Sequence, residues 1–294
     1  MMMKRHVVDG IVCREIPMDL PKVGTVTILE ATSESQEDLV NMALMLEDEN
    51  DTDDDSTQKL NAGDPYGAVL WPAAWAVARH ILESTTSKKQ QQGSSSKDDN
   101  SNGDNDDPPL KGLTILELGT GTGLVSLAAA LGGADKVIAS DYEEVALSLT
   151  RYAADTFLPS FLDDRIETKI VDMCDQTMPL PPADIVVAAD VMYEPRTGIA
   201  LAHRVKEAID RGSRVVVGDS PGRAGRPNFL KTLIEELGMS ADQAKFVDTV
   251  GKTCTGPRHD LICGKDSKSV SETPEELAVA IMDLDPEDFP NDLC

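Results

Sequence analysis

The sequence predicts an α/β fold: a doubly wound, mostly parallel seven-stranded sheet whose last strand is antiparallel. Strand-like apolar runs alternate with helix-like segments from about residue 110 to residue 264, as in chains that form parallel sheets. Two of these runs, residues 184–189 and 214–218, are almost continuously apolar, as strands covered by helices on both faces require. At 294 residues, the chain is long enough to bury such a core.

The predicted elements follow one another in a regular order. The strands are expected at residues 113–118, 136–140, 166–171, 184–189 and 214–218, with a closing antiparallel pair at 245–250 and 260–263. The helices are expected at residues 124–131, 145–156, 199–210 and 228–237, and one more helix, ending near residue 82, precedes the first strand. Sheets of this kind bind ligands beyond the carboxyl ends of their parallel strands.

Acidic or low-complexity segments flank and interrupt this core. Residues 1–63 form an N-terminal extension, whose acidic stretch at 47–58 is too polar to pack and predicts a loop. Within the domain at 64–264, residues 84–109 contain no large apolar side chain and predict a disordered insertion. Residues 265–294 form an acidic C-terminal tail, in which the apolar spacing at 275–284 predicts a short helix.

The distribution of charge limits the partners of the protein. The formal net charge is −25, and most of it lies in the flanking and inserted segments, which leaves the core nearly neutral. An acidic surface repels nucleic acid and attracts basic protein. No apolar run approaches the roughly 20 residues needed to cross a bilayer. We therefore expect neither nucleic acid nor a membrane as a partner.

The cysteines favour a reducing compartment. None of the five forms a C-x-x-C pair, and no histidine lies at metal-ligand spacing from another, so neither a zinc site nor a disulfide framework is predicted. The first ten residues hold no apolar stretch resembling a secretory signal. The expected location is the cytoplasm, with the mitochondrion or the nucleus as alternatives.

A glycine-rich turn between a predicted strand and a helix is the strongest functional signal. Gly119, Gly121 and Gly123 allow a tight turn and let a ligand lie against the backbone. A dinucleotide-binding turn would need Gly or Ala at the next position, which is Leu124. Glu117, just before the turn, would repel a pyrophosphate but suits a cationic amino-acid ligand such as S-adenosylmethionine. The alternative for Glu117 is a carboxylate that caps or braces the loop.

Acids at the ends of the next two strands extend the predicted site. Asp141 ends the second strand, where a carboxylate can bind both ribose hydroxyls, although dinucleotide enzymes place an acid there too. Asp172 follows the third strand and can accept a hydrogen bond from the adenine amino group. The alternative for Asp172 is an Asx turn at the end of the strand.

With these motifs the sequence resembles a known family, the class I, seven-β-strand methyltransferases, and within it the protein-lysine methyltransferases. The matching features are the loop at 117–123, Asp141, an Asp-x-x-Tyr signature at 190–193 and a Trp-containing element at 70–74. Residues 64–72 and 218–223 are similar to segments of the branch that methylates the β subunit of electron-transfer flavoprotein. Ser220 is an insertion relative to that branch's Gly-Asp-Pro-Gly-Arg segment.

The resemblance implies a Rossmann-like fold, S-adenosylmethionine as cofactor, and a monomer that methylates a lysine-bearing protein. Trp71 would border the cofactor, with core packing as the alternative, and Met173 and Ala189 would lie against it. Asp190 and Tyr193 would hold the incoming amine as the catalytic pair. The alternative for Tyr193 is a buried tyrosine whose hydroxyl is satisfied.

Other functions stay open from the sequence. One is N-methylation of a small molecule, or of a histidine or arginine side chain. Another is a module that binds S-adenosylmethionine without catalysis, which the intact Glu117, Asp141 and glycines disfavour. A dehydrogenase is weakened by Leu124. Adenine-amine methyltransferases of this fold carry an Asn/Asp-Pro-Pro-aromatic motif, whereas Asp190 is followed by Val-Met-Tyr.

Overall fold

The computed structural model of the protein describes residues 4–50, 66–92, 107–254 and 274–289. Its strands are β1 Arg5–Val8, β2 Ile11–Leu20, β3 Gly24–Ala31, β4 Thr114–Leu118, β5 Lys136–Asp141, β6 Ile166–Ile170, β7 Ile185–Ala189, β8 Arg214–Asp219, β9 Val247–Cys254 and β10 Pro274–Leu284. Its helices are α1 Ser33–Asn50, α2 Pro72–Gln92, α3 Leu124–Leu131, α4 Glu144–Phe157, α5 Ser160–Asp163, α6 Pro195–Asp210 and α7 Arg226–Lys231, which continues as a π-helix over Thr232–Glu236. No helix in these ranges is both long and apolar enough to cross a membrane.

Seven strands form one sheet in the order β6-β5-β4-β7-β8-β10-β9. The five strands from β6 to β8 pair in parallel, and β10, the last strand in the chain, is antiparallel to both of its neighbours. Helices α2, α3 and α4 pack on one face of the sheet, and α6 and α7 pack on the other. The predicted doubly wound α/β fold, with a mostly parallel seven-stranded sheet and an antiparallel last strand, is confirmed.

The prediction of a short helix at 275–284 is wrong, because this segment is strand β10. It also takes the place of residues 260–263 as the partner of β9, and those residues lie outside the described part of the chain. Val279, Ala280, Ile281 and Met282 are all buried, since β10 lies between two strands and is covered on both faces. A short continuous apolar run does not distinguish a buried strand from a helix. The sheet therefore includes residues beyond position 264.

The N-terminal segment forms a second sheet that the sequence analysis did not anticipate. Strands β1, β2 and β3 pair in antiparallel order, and the buried residues of β2 and β3 join the core formed with α2, α3 and α4. The alternation of buried Ile16, Met18 and Leu20 with exposed neighbours is the period-two pattern of a half-buried strand. That pattern was available in the sequence.

The predicted loop at 47–58 and the predicted disordered insertion at 84–109 both begin as helix. Helix α1 extends to Asn50, so residues 47–50 of the predicted acidic loop are helical and residues 51–58 lie outside the described part. Helix α2 extends to Gln92 instead of ending near residue 82. The predicted insertion at 84–109 thus begins as a continuation of α2, and its residues 93–106 lie outside the described part.

Candidate functional site

A cavity of about 270 Å³ opens at the carboxyl ends of β4, β5, β6 and β7, and Arg223 from the loop after β8 also lines it. Among the predicted site residues, its walls contain Trp71, Gly119, Gly121, Asp141, Met173, Ala189, Asp190 and Tyr193. The described walls do not include Glu117, Gly123 or Asp172. The cavity lies at the carboxyl ends of the parallel strands, where an α/β fold of this kind is expected to bind its ligand.

The glycine-rich turn connects β4 to α3, and its glycines have different roles. All three have positive φ angles. A Cβ atom at Gly119 would lie 2.6 Å from Val191 Cγ1, and one at Gly123 would lie 2.6 Å from Thr150 Oγ1, so packing requires both glycines. At Gly121, which lines the cavity, the nearest atom would be the Gly67 carbonyl oxygen at 3.3 Å. Gly121 therefore leaves open the space that a ligand needs.

Glu117 braces this turn. It is 2% exposed, and its Oε2 accepts hydrogen bonds from the Thr120 hydroxyl at 2.9 Å and the Ser126 backbone N–H at 3.0 Å. Burial raises the pKa of Glu117 to about 7, although the hydrogen bonds from Ser126 and Thr120 oppose the shift. The structure thus places Glu117 in the loop-bracing role that was the alternative to binding the cofactor.

Asp141 lines the cavity at the end of β5 and holds the glycine-rich turn in place. Its Oδ2 accepts a hydrogen bond from the Gly121 N–H at 3.1 Å, and its Oδ1 accepts one from the Glu143 N–H at 3.1 Å. The Asp141 side chain therefore connects the turn after β4 to the turn after β5. Its position at the cavity wall fits the predicted contact with ribose hydroxyls.

Asp172 and Met173 follow β6 and have different surroundings. Asp172 is exposed, and its Oδ1 accepts a hydrogen bond from the Cys174 N–H at 2.8 Å, which is the Asx turn that was the alternative to an adenine contact. Met173 lines the cavity together with Val171. The apolar wall after β6 is therefore formed by the two neighbours of Asp172.

Asp190 joins the start of α2 to the segment that follows β8. It has a φ of 58°, and its side chain has no exposed area. Its Oδ2 accepts a hydrogen bond from the Ala73 N–H at 2.8 Å, in the first turn of α2, and its Oδ1 accepts one from the Ser220 N–H at 2.7 Å. The buried Asp190 carboxylate therefore fixes these two backbone segments, and its predicted contact with the incoming amine stays a prediction.

Trp71 and Tyr193 line the cavity as predicted, and so does Ala189 at the end of β7. The Trp71 Nε1 donates to the Tyr66 carbonyl oxygen at 3.2 Å, which fixes the indole plane. Tyr193 is 38% exposed, so the alternative of a buried tyrosine does not apply. Among the predicted residues in the cavity wall, Tyr193 is therefore the most accessible to an incoming substrate.

Six residues that were not predicted from the sequence also line the cavity. They are Tyr66, Gly67, Tyr142, Val171, Val191 and Arg223. Tyr66 and Gly67 lie in the segment at 64–72, and Arg223 ends the segment at 218–223, both of which the family resemblance had already singled out. Examination of each residue in these two segments could have identified Tyr66, Gly67 and Arg223 as candidates.

A buried group of charges supports the wall that follows β8. Asp219 is fully buried, and its Oδ2 accepts a hydrogen bond from Arg226 Nε at 2.6 Å. Burial, together with the nearby charge of Asp190, raises the pKa of Asp219 to about 7 against the opposing effect of Arg226. The site therefore depends on a carboxylate pair, Asp190 and Asp219, that two arginines compensate.

S-adenosylmethionine fits the groups present. Gly121 leaves space against the backbone, Asp141 offers a carboxylate to a ribose, and Val171 and Met173 form an apolar wall for a base. The strand order and the cavity together define a Rossmann-like α/β fold with a ligand site at the carboxyl ends of its parallel strands.

Comparisons with known proteins identify the family. The chain belongs to the lysine methyltransferase family, whose model matches residues 52–236, a range that contains every described residue lining the cavity. The resemblance stated from the sequence is thereby confirmed.

Individual relatives are distant. The electron transfer flavoprotein beta subunit lysine methyltransferase of Xenopus laevis is 29% identical over 163 residues, which cover 55% of this chain and 54% of that protein. The protein N-terminal and lysine N-methyltransferase EFM7 of Gibberella zeae is 32% identical over 145 residues, covering 47% of this chain and 48% of that protein. The chain thus matches about half the length of these relatives.

Solved methyltransferase structures also match the chain. One is precorrin-6y C5,15-methyltransferase from Geobacter metallireducens, with a TM-score of 0.36 and 14% identity over 58% of this chain and 80% of that one. This similarity is too distant to bear on function, so the fold assignment rests on the strand order of the protein itself.

Proposed function

We propose that this protein transfers a methyl group from S-adenosylmethionine to a lysine side chain of a protein substrate. The observation that carries the proposal is the match to the lysine methyltransferase family over residues 52–236, which contain the whole described cavity wall. The names of the relatives add support, since both describe lysine methyltransferases that act on proteins.

The residues of this chain act mainly by position. S-adenosylmethionine supplies an electrophilic methyl group on its sulfonium. Gly119, Gly121 and Asp141 form the part of the wall that receives the nucleoside, while Asp190 fixes the two backbone segments beside it. Methyl transfer needs an aligned nucleophile, and alignment in a preformed cavity supplies most of the acceleration.

The amine must arrive neutral or become neutral before it reacts. At its ordinary pKa of about 10.4, roughly one lysine in a thousand is neutral at pH 7, and partial desolvation in the cavity favours that form. The Asp190 carboxylate already accepts two backbone hydrogen bonds and has no exposed area, so we do not assign it as a general base. The Tyr193 side chain lies at the accessible rim and orients the amine.

The remaining parts of the proposal concern the setting of the reaction. The net charge of −25 favours a basic protein partner over nucleic acid. A monomeric state and a cytoplasmic location, with the mitochondrion or the nucleus as alternatives, stay predictions. N-methylation of a small molecule, or of histidine or arginine, is the competing function.

The test uses methyl-tritiated S-adenosylmethionine. The protein is incubated separately with the protein, nucleic-acid and small-molecule fractions of a lysate, and labelled peptides are sequenced by mass spectrometry. We expect label only in protein, on a lysine Nζ, and its loss with Gly121→Arg. Label on nucleic acid, on a metabolite, or on histidine or arginine would overturn the proposal.

A further inference from the structure

Arg223 is the basic side chain in the described wall of the cavity. It follows β8, and the proposed mechanism gives it no role. Its guanidinium lies 4.4 Å from the centroid of the Trp71 ring, and its Nη2 lies 3.5 Å from Asp190 Oδ1. Both partners are themselves held by backbone groups, so the orientation of the guanidinium is fixed.

The hydrogen-bonding capacity of Arg223 is not used up by the described residues. Its Nε and Nη2 are buried without a hydrogen-bond partner, and the Asp190 oxygen nearest to it already accepts a hydrogen bond from Ser220. A guanidinium has five N–H donors in a planar fork that matches a carboxylate. The exposed part of the side chain, 17%, contributes to the cavity wall, where the positive charge of the guanidinium can meet an anion.

The position of Arg223 across the sheet indicates which anion it meets. Asp141 ends β5, whereas Arg223 follows β8, and β4 and β7 lie between these strands. At about 4.8 Å per strand, the ends of β5 and β8 are roughly 14 Å apart, and the Arg223 guanidinium lies over the Trp71 ring. The cavity therefore has an acid suited to a ribose on one side and a cation on the other.

We propose that Arg223 binds the carboxylate of the methionine moiety of S-adenosylmethionine. The inference rests on the proposed function for the identity of the cofactor. That carboxylate is the single anionic group of the cofactor. The nucleoside end of the cofactor matches the Asp141 side of the cavity.

The burial of Arg223 indicates that it binds the carboxylate of the cofactor and not an acidic side chain of the substrate protein. The Arg223 side chain is 17% exposed and the residue is half-buried, whereas Tyr193 at the rim is exposed. A protein substrate reaches the rim first and inserts only the target side chain. An arginine that recognised a neighbouring acid of the substrate would lie at the rim and be more exposed.

The experiment compares two ligands that differ only by this carboxylate. Dissociation constants of S-adenosylmethionine and of decarboxylated S-adenosylmethionine are measured by calorimetry for the wild type, Arg223→Gln and Arg223→Lys. Arg196→Gln is the matched control, because Arg196 is an exposed arginine that does not line the cavity. Thermal unfolding of each variant checks that it is folded.

A charged hydrogen-bonded pair predicts that the wild type binds S-adenosylmethionine roughly 10- to 100-fold more tightly than the decarboxylated ligand. Arg223→Gln should bring this ratio close to one, Arg223→Lys should lower it, and Arg196→Gln should leave it unchanged. If Arg223→Gln does not fold, the ratio of the two dissociation constants for Arg223→Lys tests the inference instead. An unchanged ratio in a folded Arg223 variant overturns the inference alone, whereas a wild type that binds neither ligand overturns the proposed function as well.

Discussion

Replacing Asp190 by alanine should destabilise the protein, because its carboxylate satisfies two buried backbone donors. The N–H groups of Ala73 and Ser220 donate to it at 2.8 and 2.7 Å. Each buried donor left without a partner costs about 1–3 kcal/mol. Removal of the Asp190 charge also relieves the repulsion that raises the pKa of Asp219, which offsets part of this cost. We therefore expect Asp190→Ala to lower the free energy of unfolding by about 2–5 kcal/mol.

A graded series and a matched control make this prediction specific. Asp190→Asn keeps one acceptor oxygen and tolerates the positive φ, so it should lose about half as much stability. Asp172→Ala is the control, because Asp172 also follows a parallel strand but is exposed in an Asx turn. Urea unfolding followed by circular dichroism gives the free energies. An Asp190→Ala variant as stable as the wild type would refute the positioning role.

Three further predictions follow from individual parts of the structure. Burial raises the pKa of Glu117 to about 7, so the folded protein retains a proton that the unfolded chain releases near pH 4.5. The wild type should therefore lose stability relative to Glu117→Gln as the pH rises from about 4.5 to 7, by up to about 3 kcal/mol, as measured by urea unfolding at each pH. Ending the chain after Gly264 removes β10 from between β8 and β9, and calorimetry should show no cooperative unfolding; a normal transition would contradict the sheet order. Tyr193→Phe should reduce the methylation rate by about two- to tenfold without changing cofactor affinity, and an unchanged rate would exclude a role for the hydroxyl.

The regular part of the fold could be predicted because it is encoded locally. Strands β7 and β8 are apolar runs bounded by turns, and each is followed or preceded by a segment with helical periodicity. Strand β10 could not be identified in the same way, since its burial on both faces depends on insertion between β8 and β9. The N-terminal sheet did have a local signal in the alternation along β2, which the sequence prediction did not use.

The identity of the site residues was more predictable than their roles. The sequence marks Glu117 and Asp190 as acids beside strand ends, but it does not show which donors their oxygens meet. In the structure, Glu117 binds the turn that follows it, and Asp190 reaches Ala73, which is 117 residues away along the chain. The placement of Arg223 over Trp71 is likewise a tertiary contact that no local pattern specifies.

Binding of the demethylated cofactor product at the Gly121 wall tests the central claim most directly. Calorimetric titration of S-adenosylhomocysteine is carried out on the wild type, Gly121→Arg and Gly212→Arg. Gly121 and Gly212 both have positive φ angles, but Gly212 has open space around it and does not line the cavity, so it controls for backbone strain. We predict that the wild type and Gly212→Arg bind the ligand, that folded Gly121→Arg does not, and that NAD gives no signal with any of them. Undiminished binding by Gly121→Arg, or binding of NAD in preference to S-adenosylhomocysteine, would contradict the assignment of this cavity.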